Sequence, residues 1–210
     1  MKNTENKLLK EGKLLLLVEE FYSIQGEGFN SGKAAYFIRL GGCDINCKWC
    51  DSKNSWDKKN HHLIKTDDII KNAVKYPAKA VVVTGGEPLK HNLNYLCGKL
   101  KNAGIKTYLE TCGINKISGK WDWLCLSPKK KVCPLPEIFG MINELKIIIC
   151  DKSDFKWAEE NAKRVDKNCK LYLQPEWENK KKTLPLIIDY ILKNPKWEIS
   201  LQIHKYMNIP

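Results

Sequence analysis

The sequence predicts an α/β fold: a single domain over residues 1–210 whose mostly parallel sheet curls into a modified, incomplete (β/α) TIM-like barrel. Three observations carry that expectation. Short runs rich in β-branched and aromatic residues alternate with longer segments of helical periodicity. Polar, glycine-bearing stretches follow the short runs, at the strand ends where the sites of parallel α/β folds assemble. A chain of 210 residues can bury an ordinary core but falls short of the roughly 250 that a full eight-stranded barrel takes.

The predicted strands are AAYFIRL (34–40), AKAVVVT (78–84), IKTYLET (105–111), WDWLCLS (121–127), NELKIIIC (143–150), CKLYLQP (169–175) and EISLQIH (198–204). Helix patterns lie between several of them. Thr66 precedes DDIIKNAVKY, HNLNYLCGKLKNAG runs out on Gly104, Ser153 precedes DFKWAEENAKRV, and LPLIIDYILKN closes before Pro195. No linker, repeat or low-complexity segment interrupts the rhythm. The loops that would converge on one mouth are GGCDINC after Leu40, GGEP after Thr84, CG after Thr111, SPK after Leu126 and QPEW after Leu173.

Composition excludes some function classes. The net charge of +12 raises nucleic-acid binding, yet the basic residues are lysines apart from Arg39 and Arg164. Base readout favours the guanidinium fork, and lysines spread along a chain read as solvated faces. KKNHH (58–62) and SPKKK (127–131) are the local concentrations. The apolar run Leu14 to Val18 is too short for a secretory segment or a membrane span. The expectation is a cytoplasmic protein binding neither membrane nor nucleic acid. Its nine cysteines would then be reduced, and clustered ones would serve as metal ligands or catalysts.

Cys43, Cys47 and Cys50 are spaced C-x3-C-x2-C. A closed structural zinc site wants four ligands, and here only Asp51 or the distant His61 and His62 could add one. A cuboidal [4Fe-4S] cluster held by three cysteines leaves one iron uncovered, able to bind a substrate or cofactor. On spacing alone, structural zinc and simple packing of the thiols stay open. GGEP alone is equally a plain turn. Cys112, Cys125 and Cys133 are too irregularly spaced for a second cluster and read as scattered thiols; His61 and His62 read as solvent-exposed.

Taken together, the three cysteines, Trp49 just before the last of them, and TGGEP (84–88) at a later strand end resemble the radical S-adenosylmethionine superfamily. FYSIQGEGFNSGKAAYFIRLGGCDINCKWCDS (21–52) and the ending LQIHKYMNIP (201–210) are similar to the 7-carboxy-7-deazaguanine synthase family, ring-contracting enzymes on the route to queuosine and other 7-deazapurines. The resemblance runs from Phe21 to Pro210. It implies a partial barrel of the radical S-adenosylmethionine type, a homodimer, and a flavodoxin or ferredoxin-type electron donor.

It also implies roles. Cys43, Cys47 and Cys50 in the loop 41–52 would hold a [4Fe-4S] cluster. Trp49, Cys50, Asp51, Gly86, Ser127, Pro128, Lys129, Gln174, Pro175, Glu176 and Trp177 would hold S-adenosylmethionine. Ile24, Gln25, Gly26, Arg39, Thr84 and Pro210 would hold a pterin substrate, with Glu27, Gly85, Glu87 and Glu110 beside them. The tail 204–210 would fold into the active site, and Ser52 would ligate Mg2+ where the family mostly has Thr. Chemistry stands behind these roles: Gln25 suits the amide-like edge of a pterin, and Arg39 can grip a carboxylate by two parallel bonds. Read without the resemblance, Arg39 is a surface ion pair, Ser52 a loop residue and Pro210 part of a frayed tail.

The implied reaction takes a hydrogen atom from C6 of 6-carboxy-5,6,7,8-tetrahydropterin with a 5'-deoxyadenosyl radical, contracts the ring and releases ammonia. Two rival classes are a glycyl-radical activase and a small basic zinc protein binding nucleic acid.

Overall fold

The computed structural model describes residues 2–57 and 61–210. In chain order its elements are α1 (Lys2–Lys10), β1 (Leu14–Ile24), β2 (Ala34–Leu40), β3 (His62–Lys65), α2 (Thr66–Ala73), β4 (Ala80–Gly85), α3 (Asn94–Asn102), β5 (Lys106–Thr111), β6 (Trp123–Leu126), β7 (Glu144–Ile149), α4 (Asp154–Ala162), β8 (Lys170–Pro175), α5 (Lys180–Lys193), β9 (Trp197–Ile199) and α6 (Ile203–Met207). Among the described residues the strands form one nine-stranded sheet in the order β3-β1-β2-β4-β5-β6-β7-β8-β9. β2 and β4 through β9 run parallel, and β1 pairs antiparallel with both β2 and β3. The sheet does not close on itself. It is an incomplete barrel.

Strand alternation sorts the side chains. On β7, Leu145, Ile147 and Ile149 join the core under the helices, where Ile69, Leu96, Leu100 and Ile187 pack. Lys146 and Ile148, from the alternate positions, face the barrel interior. β4 divides likewise, with Val81 and Val83 in the helix-side core and Val82 inside against Phe37 and Phe21. The ends of β2, β4, β5, β6 and β8 thus deliver their following loops to the same rim.

Several elements depart from the sequence expectation. β1 and β3 were not anticipated. The register of β1 against β2 slips between Leu17 and Glu19, so a bulge at Val18 reverses its inside-outside phase and erases the period-2 signal. Of the predicted strand 198–204 only Glu198 and Ile199 lie in β9, which runs Trp197–Ile199. There Ser200 Oγ donates to Gln174 Oε1 at 2.7 Å, and the chain turns into the short helix α6. α5 starts at Lys180, ahead of the predicted run, with Pro185 inside it. Thr66 and Ser153 do not cap: Thr66 Oγ1 donates to the Gly12 carbonyl at 2.7 Å. The Asp154 carboxylate instead accepts the backbone N–H groups of Cys150 and Asp151 at 2.6 and 2.9 Å.

Within KKNHH, Lys58, Lys59 and Asn60 lie outside the described residues. His61 is half-buried with its ring on the Asn54 carbonyl at 2.7 Å, against the exposed reading, whereas His62 is exposed on β3. No helix among the described residues is long and apolar enough to cross a membrane.

Candidate active site

The loops after β2, β4, β5, β6 and β8 ring a cavity of about 350 Å³ at the C-terminal rim of the sheet, joined by the segment after β1 and by the C-terminal segment. After β2 the chain turns back so that Cys43, Cys47 and Cys50, all partly exposed, border this one space. The turn is held by Gly42 N–H on the Ser55 carbonyl at 2.7 Å and by Cys50 N–H on the Cys47 carbonyl at 3.0 Å. Burial raises the Cys47 thiol, and the nearby Cys50 and Cys43 thiols add to the effect against the pull of Lys129. A cluster bound here would take the thiols in their deprotonated form.

The loop after β4 packs against this turn. A Cβ on Gly85, whose φ is +147°, would lie 2.1 Å from the Leu40 carbonyl oxygen, and one on Gly86 2.7 Å from that of Gly42. The glycines therefore let two strand ends touch backbone to backbone. Gly86 N–H donates to the Leu40 carbonyl and Glu87 N–H to that of Gly42, both at 2.9 Å. Glu87 itself is buried beneath the rim. Its carboxylate accepts from Leu89 N–H at 3.0 Å, Thr111 Oγ1 at 2.6 Å and Cys112 N–H at 2.9 Å, which ties the ends of β4 and β5 together.

Opposite the cysteines, Lys129 Nζ donates to Ser127 Oγ at 2.8 Å and stands 5.0 Å from the Trp49 ring centroid. Gln174, Pro175, Glu176 and Trp177 line the wall after β8. The Glu176 carboxylate accepts from the backbone N–H groups of Glu178 and Asn179, each at 3.0 Å, and so shapes that turn. Pro128 faces an adjoining recess shared with Cys47, Trp49 and Lys129.

The remaining polar groups form two connected sets. Arg39, cross-strand from Glu19 in the β1–β2 register, donates from Nε to Glu19 Oε1 at 2.6 Å and from Nη1 to Ser52 Oγ at 2.9 Å. Ser52 Oγ donates in turn to Asp51 Oδ1 at 3.3 Å, while Asp51 Oδ2 accepts from Gln202 Nε2 at 2.9 Å and Lys205 Nζ at 3.1 Å. Burial raises the Asp51 carboxyl, but Lys205, Gln202 and Ser52 outweigh it and hold the group below its ordinary value.

Deeper in, Lys146 Nζ lies between Glu27 Oε2 at 2.6 Å and Glu110 Oε2 at 2.9 Å, with its side chain only 4% exposed. Gln25 Nε2 donates to Glu110 Oε1 at 3.3 Å and Gln202 Nε2 to Glu27 Oε1 at 2.9 Å. Ile24, Gly26, Thr84 and Pro210 complete the lining, and Ser23 Oγ donates to the Pro210 carbonyl oxygen at 3.1 Å.

Residues 24–123 match a family described as a 4Fe-4S single cluster domain. The chain is 52% identical over 202 residues to the 7-carboxy-7-deazaguanine synthase of Flavobacterium psychrophilum, covering 96% of each chain. It belongs to the 7-carboxy-7-deazaguanine synthase family. The enzyme of that name from Synechocystis is 44% identical, with 92% of each chain covered. The crystal structure of QueE from Escherichia coli superposes with a TM-score of 0.83 at 27% identity, over 94% of this chain and 97% of that one.

As a 7-carboxy-7-deazaguanine synthase family member the chain is a radical S-adenosylmethionine lyase whose cofactors are a [4Fe-4S] cluster and S-adenosylmethionine. These relatives favour neither the activase nor the zinc protein. The thiols fit the cluster. Among the described residues no three His, Cys, Asp or Glu side chains converge as they would on one ion; a cluster, which offers separate irons to separate thiolates, asks only that three cysteines border one space. Among the charged and amide side chains of the cavity, the resemblance to 7-carboxy-7-deazaguanine synthases did not point to Lys146, Gln202 or Lys205. Lys146 had a faint signal, a lone charge in the apolar run of β7. Gln202 and Lys205 lie in the C-terminal stretch without any motif of their own. Cys112, Cys125, Cys97 and Cys169 are buried and Cys133 is exposed.

Proposed function

We propose that the cavity binds 6-carboxy-5,6,7,8-tetrahydropterin and carries out its conversion to 7-carboxy-7-deazaguanine with loss of ammonia. One observation carries this reading: the three thiols share a single cavity with an arginine and with a ring of amide and carboxylate groups suited to a pterin. Cys43, Cys47 and Cys50 hold the cluster. Trp49, Asp51, Gly86, Ser127, Pro128, Lys129 and Gln174 to Trp177 surround S-adenosylmethionine. The bound cofactors supply one-electron reduction and hydrogen-atom transfer.

The chain's own residues orient the substrate and keep water away. Arg39 retains N–H groups beyond those given to Glu19 and Ser52, and these take the substrate carboxylate. Gln25 and the backbone of Ile24 and Gly26 read the amide edge of the ring, with Glu110 behind Gln25. Thr84 and Pro210 close the sides. Ser52 Oγ receives one Arg39 N–H and gives its proton to Asp51, so a lone pair remains for Mg2+, which takes few protein ligands and keeps waters and substrate oxygens. The chain acts as one domain, with the loop 41–52 and the tail 204–210 as its active-site parts. It works as a cytoplasmic homodimer reduced by a flavodoxin or ferredoxin-type donor.

The test is anaerobic reconstitution with iron and sulfide, followed by reductant, S-adenosylmethionine, Mg2+ and the carboxytetrahydropterin. The expected outcome is a deazaguanine product with equimolar ammonia, and absence of both from the active, cluster-loaded protein overturns the reading. Omitting Mg2+, and replacing Ser52 by Ala, are expected to slow turnover by roughly tenfold or more, a loss of about 1.4 kcal/mol in the transition state.

A further inference from the structure

Lys146 sits midway along β7, buried, on the inner face of the barrel. Its ammonium is bonded to two carboxylates that both border the cavity, Glu27 and Glu110, at 2.6 and 2.9 Å. Glu27 comes from the segment after β1 and Glu110 from β5. A buried ammonium is stable only when paired, and a pair of neighbouring carboxylates stays ionised only when a cation separates them. The groups facing Lys146 are Cys125 on β6, Glu110, Glu27 and Glu144 at the start of β7. Burial works against the charge of Lys146, but these neighbours outweigh it and push the ammonium well above its ordinary value. Burial likewise raises the Glu27 carboxyl, and Lys146 together with Gln202 reverses that and holds it below its ordinary value.

We propose that Lys146 is a positioning residue that sets substrate specificity: by bridging Glu27 and Glu110 it keeps both carboxylates as acceptors only, so the cavity takes a pyrimidine edge bearing a 2-amino group and rejects its 2-oxo counterpart. This rests on the pterin reading above. An ionised carboxylate has about four lone-pair sites and no proton to give. Lys146 and one amide on each carboxylate, with the Cys125 thiol also on Glu110, occupy part of that capacity, and the rest is left for the N3–H and 2-amino donors of a pterin. A 2-oxo ring would set oxygen against oxygen. Without Lys146 one of the two carboxyls takes a proton from solvent, becomes a donor as well as an acceptor, and can pair with the 2-oxo ring.

The experiment compares equilibrium binding of 6-carboxypterin and 6-carboxylumazine to the reconstituted protein with S-adenosylmethionine bound. The wild type is expected to favour the pterin by about 100-fold or more, since a site built around a missing donor discriminates strongly. In Lys146→Met the ratio is expected to fall below about fivefold, and infrared difference spectra to show a protonated carboxyl absent from the wild type. Lys146→Gln keeps hydrogen-bond donors without the charge and should show the same fall, so the question stays open to test if the Met variant does not fold. Variants that bind 6-carboxypterin with the wild-type ratio overturn the role of Lys146 alone. A wild type that binds neither ring overturns the pterin reading and this inference with it.

Discussion

Cys43, Cys47 and Cys50 differ from the buried cysteines in surroundings, not in chemistry. They border the cavity partly exposed, whereas Cys97, Cys112, Cys125 and Cys169 are buried. Burial pushes Cys97 and Cys169 up to about 12, far from the thiolate form that alkylating agents need. Mass spectrometry after brief iodoacetamide treatment of the cluster-free protein is therefore expected to find label on Cys133 and on the three loop cysteines, with Cys97, Cys125 and Cys169 spared. Reconstitution with iron and sulfide should protect Cys43, Cys47 and Cys50 and leave Cys133 labelled. Equal labelling of Cys50 before and after would rule it out as a cluster ligand. Glu87 teaches a different lesson. Its place in GGEP set it beside the expected substrate, yet its carboxylate is engaged by its neighbour Leu89 and by Thr111 and Cys112, the last two being partners that only the fold brings near.

Among the elements, the β4 end shows why a glycine pair is needed here. The short parallel pairing of Leu40 with Gly85 leaves no room for a methyl group, because the Cβ would sit 2.1 Å from a carbonyl oxygen. Gly85→Ala is expected to cost about 2–3 kcal/mol through strained backbone and overpacking, read as a lowered urea midpoint. Gly98 is the control. It lies in α3 with nothing within 4 Å of the added carbon, so Gly98→Ala is expected to raise stability by about 1 kcal/mol through helix propensity. A Gly85→Ala protein as stable as wild type would show that the two strand ends can part. The segment after β1 and the C-terminal segment form a second joint, with Gly28 N–H on Ser200 Oγ at 3.0 Å and Ile203 N–H on the Gly26 carbonyl at 3.0 Å. Together they close the side of the cavity that the open sheet leaves free.

For the whole molecule, titration sets the pH range of stability. Glu27 and Asp51 are held below their ordinary values, so what they contribute is present above about pH 4 and is lost as pH falls through their folded values. The thiols of Cys97 and Cys169 act at the other end. Their unfolded forms ionise from about pH 8.5, so their contribution is complete below that and declines as pH rises toward the folded value, about 12 for both. Urea midpoints are expected to hold near neutrality and fall on the alkaline side. The Cys97→Ala, Cys169→Ala double variant, though less stable at neutral pH, should lose less between about pH 8 and 10. A parallel decline in both proteins would place the alkaline sensitivity elsewhere.

What the sequence determined by itself was whatever contiguous residues encode: the alternation of strand and helix, the polar loops at strand ends, the cysteine spacing, and the motifs that carry the family resemblance. Period and spacing are local properties, so they are legible without a fold. β1 escaped because its bulge reverses phase in mid-strand, and β9 was drawn too long because the chain leaves the sheet at Ser200 for reasons of contact with Gln174. Only the tertiary structure decided that Lys146 meets Glu27 across 119 positions and Glu110 across 36, that Glu87 turns under the rim, and that Gln202 and Lys205 reach Asp51. Such pairings are selected by the burial of charge against charge, where the drive to compensate each ion acts through space and leaves no period along the chain.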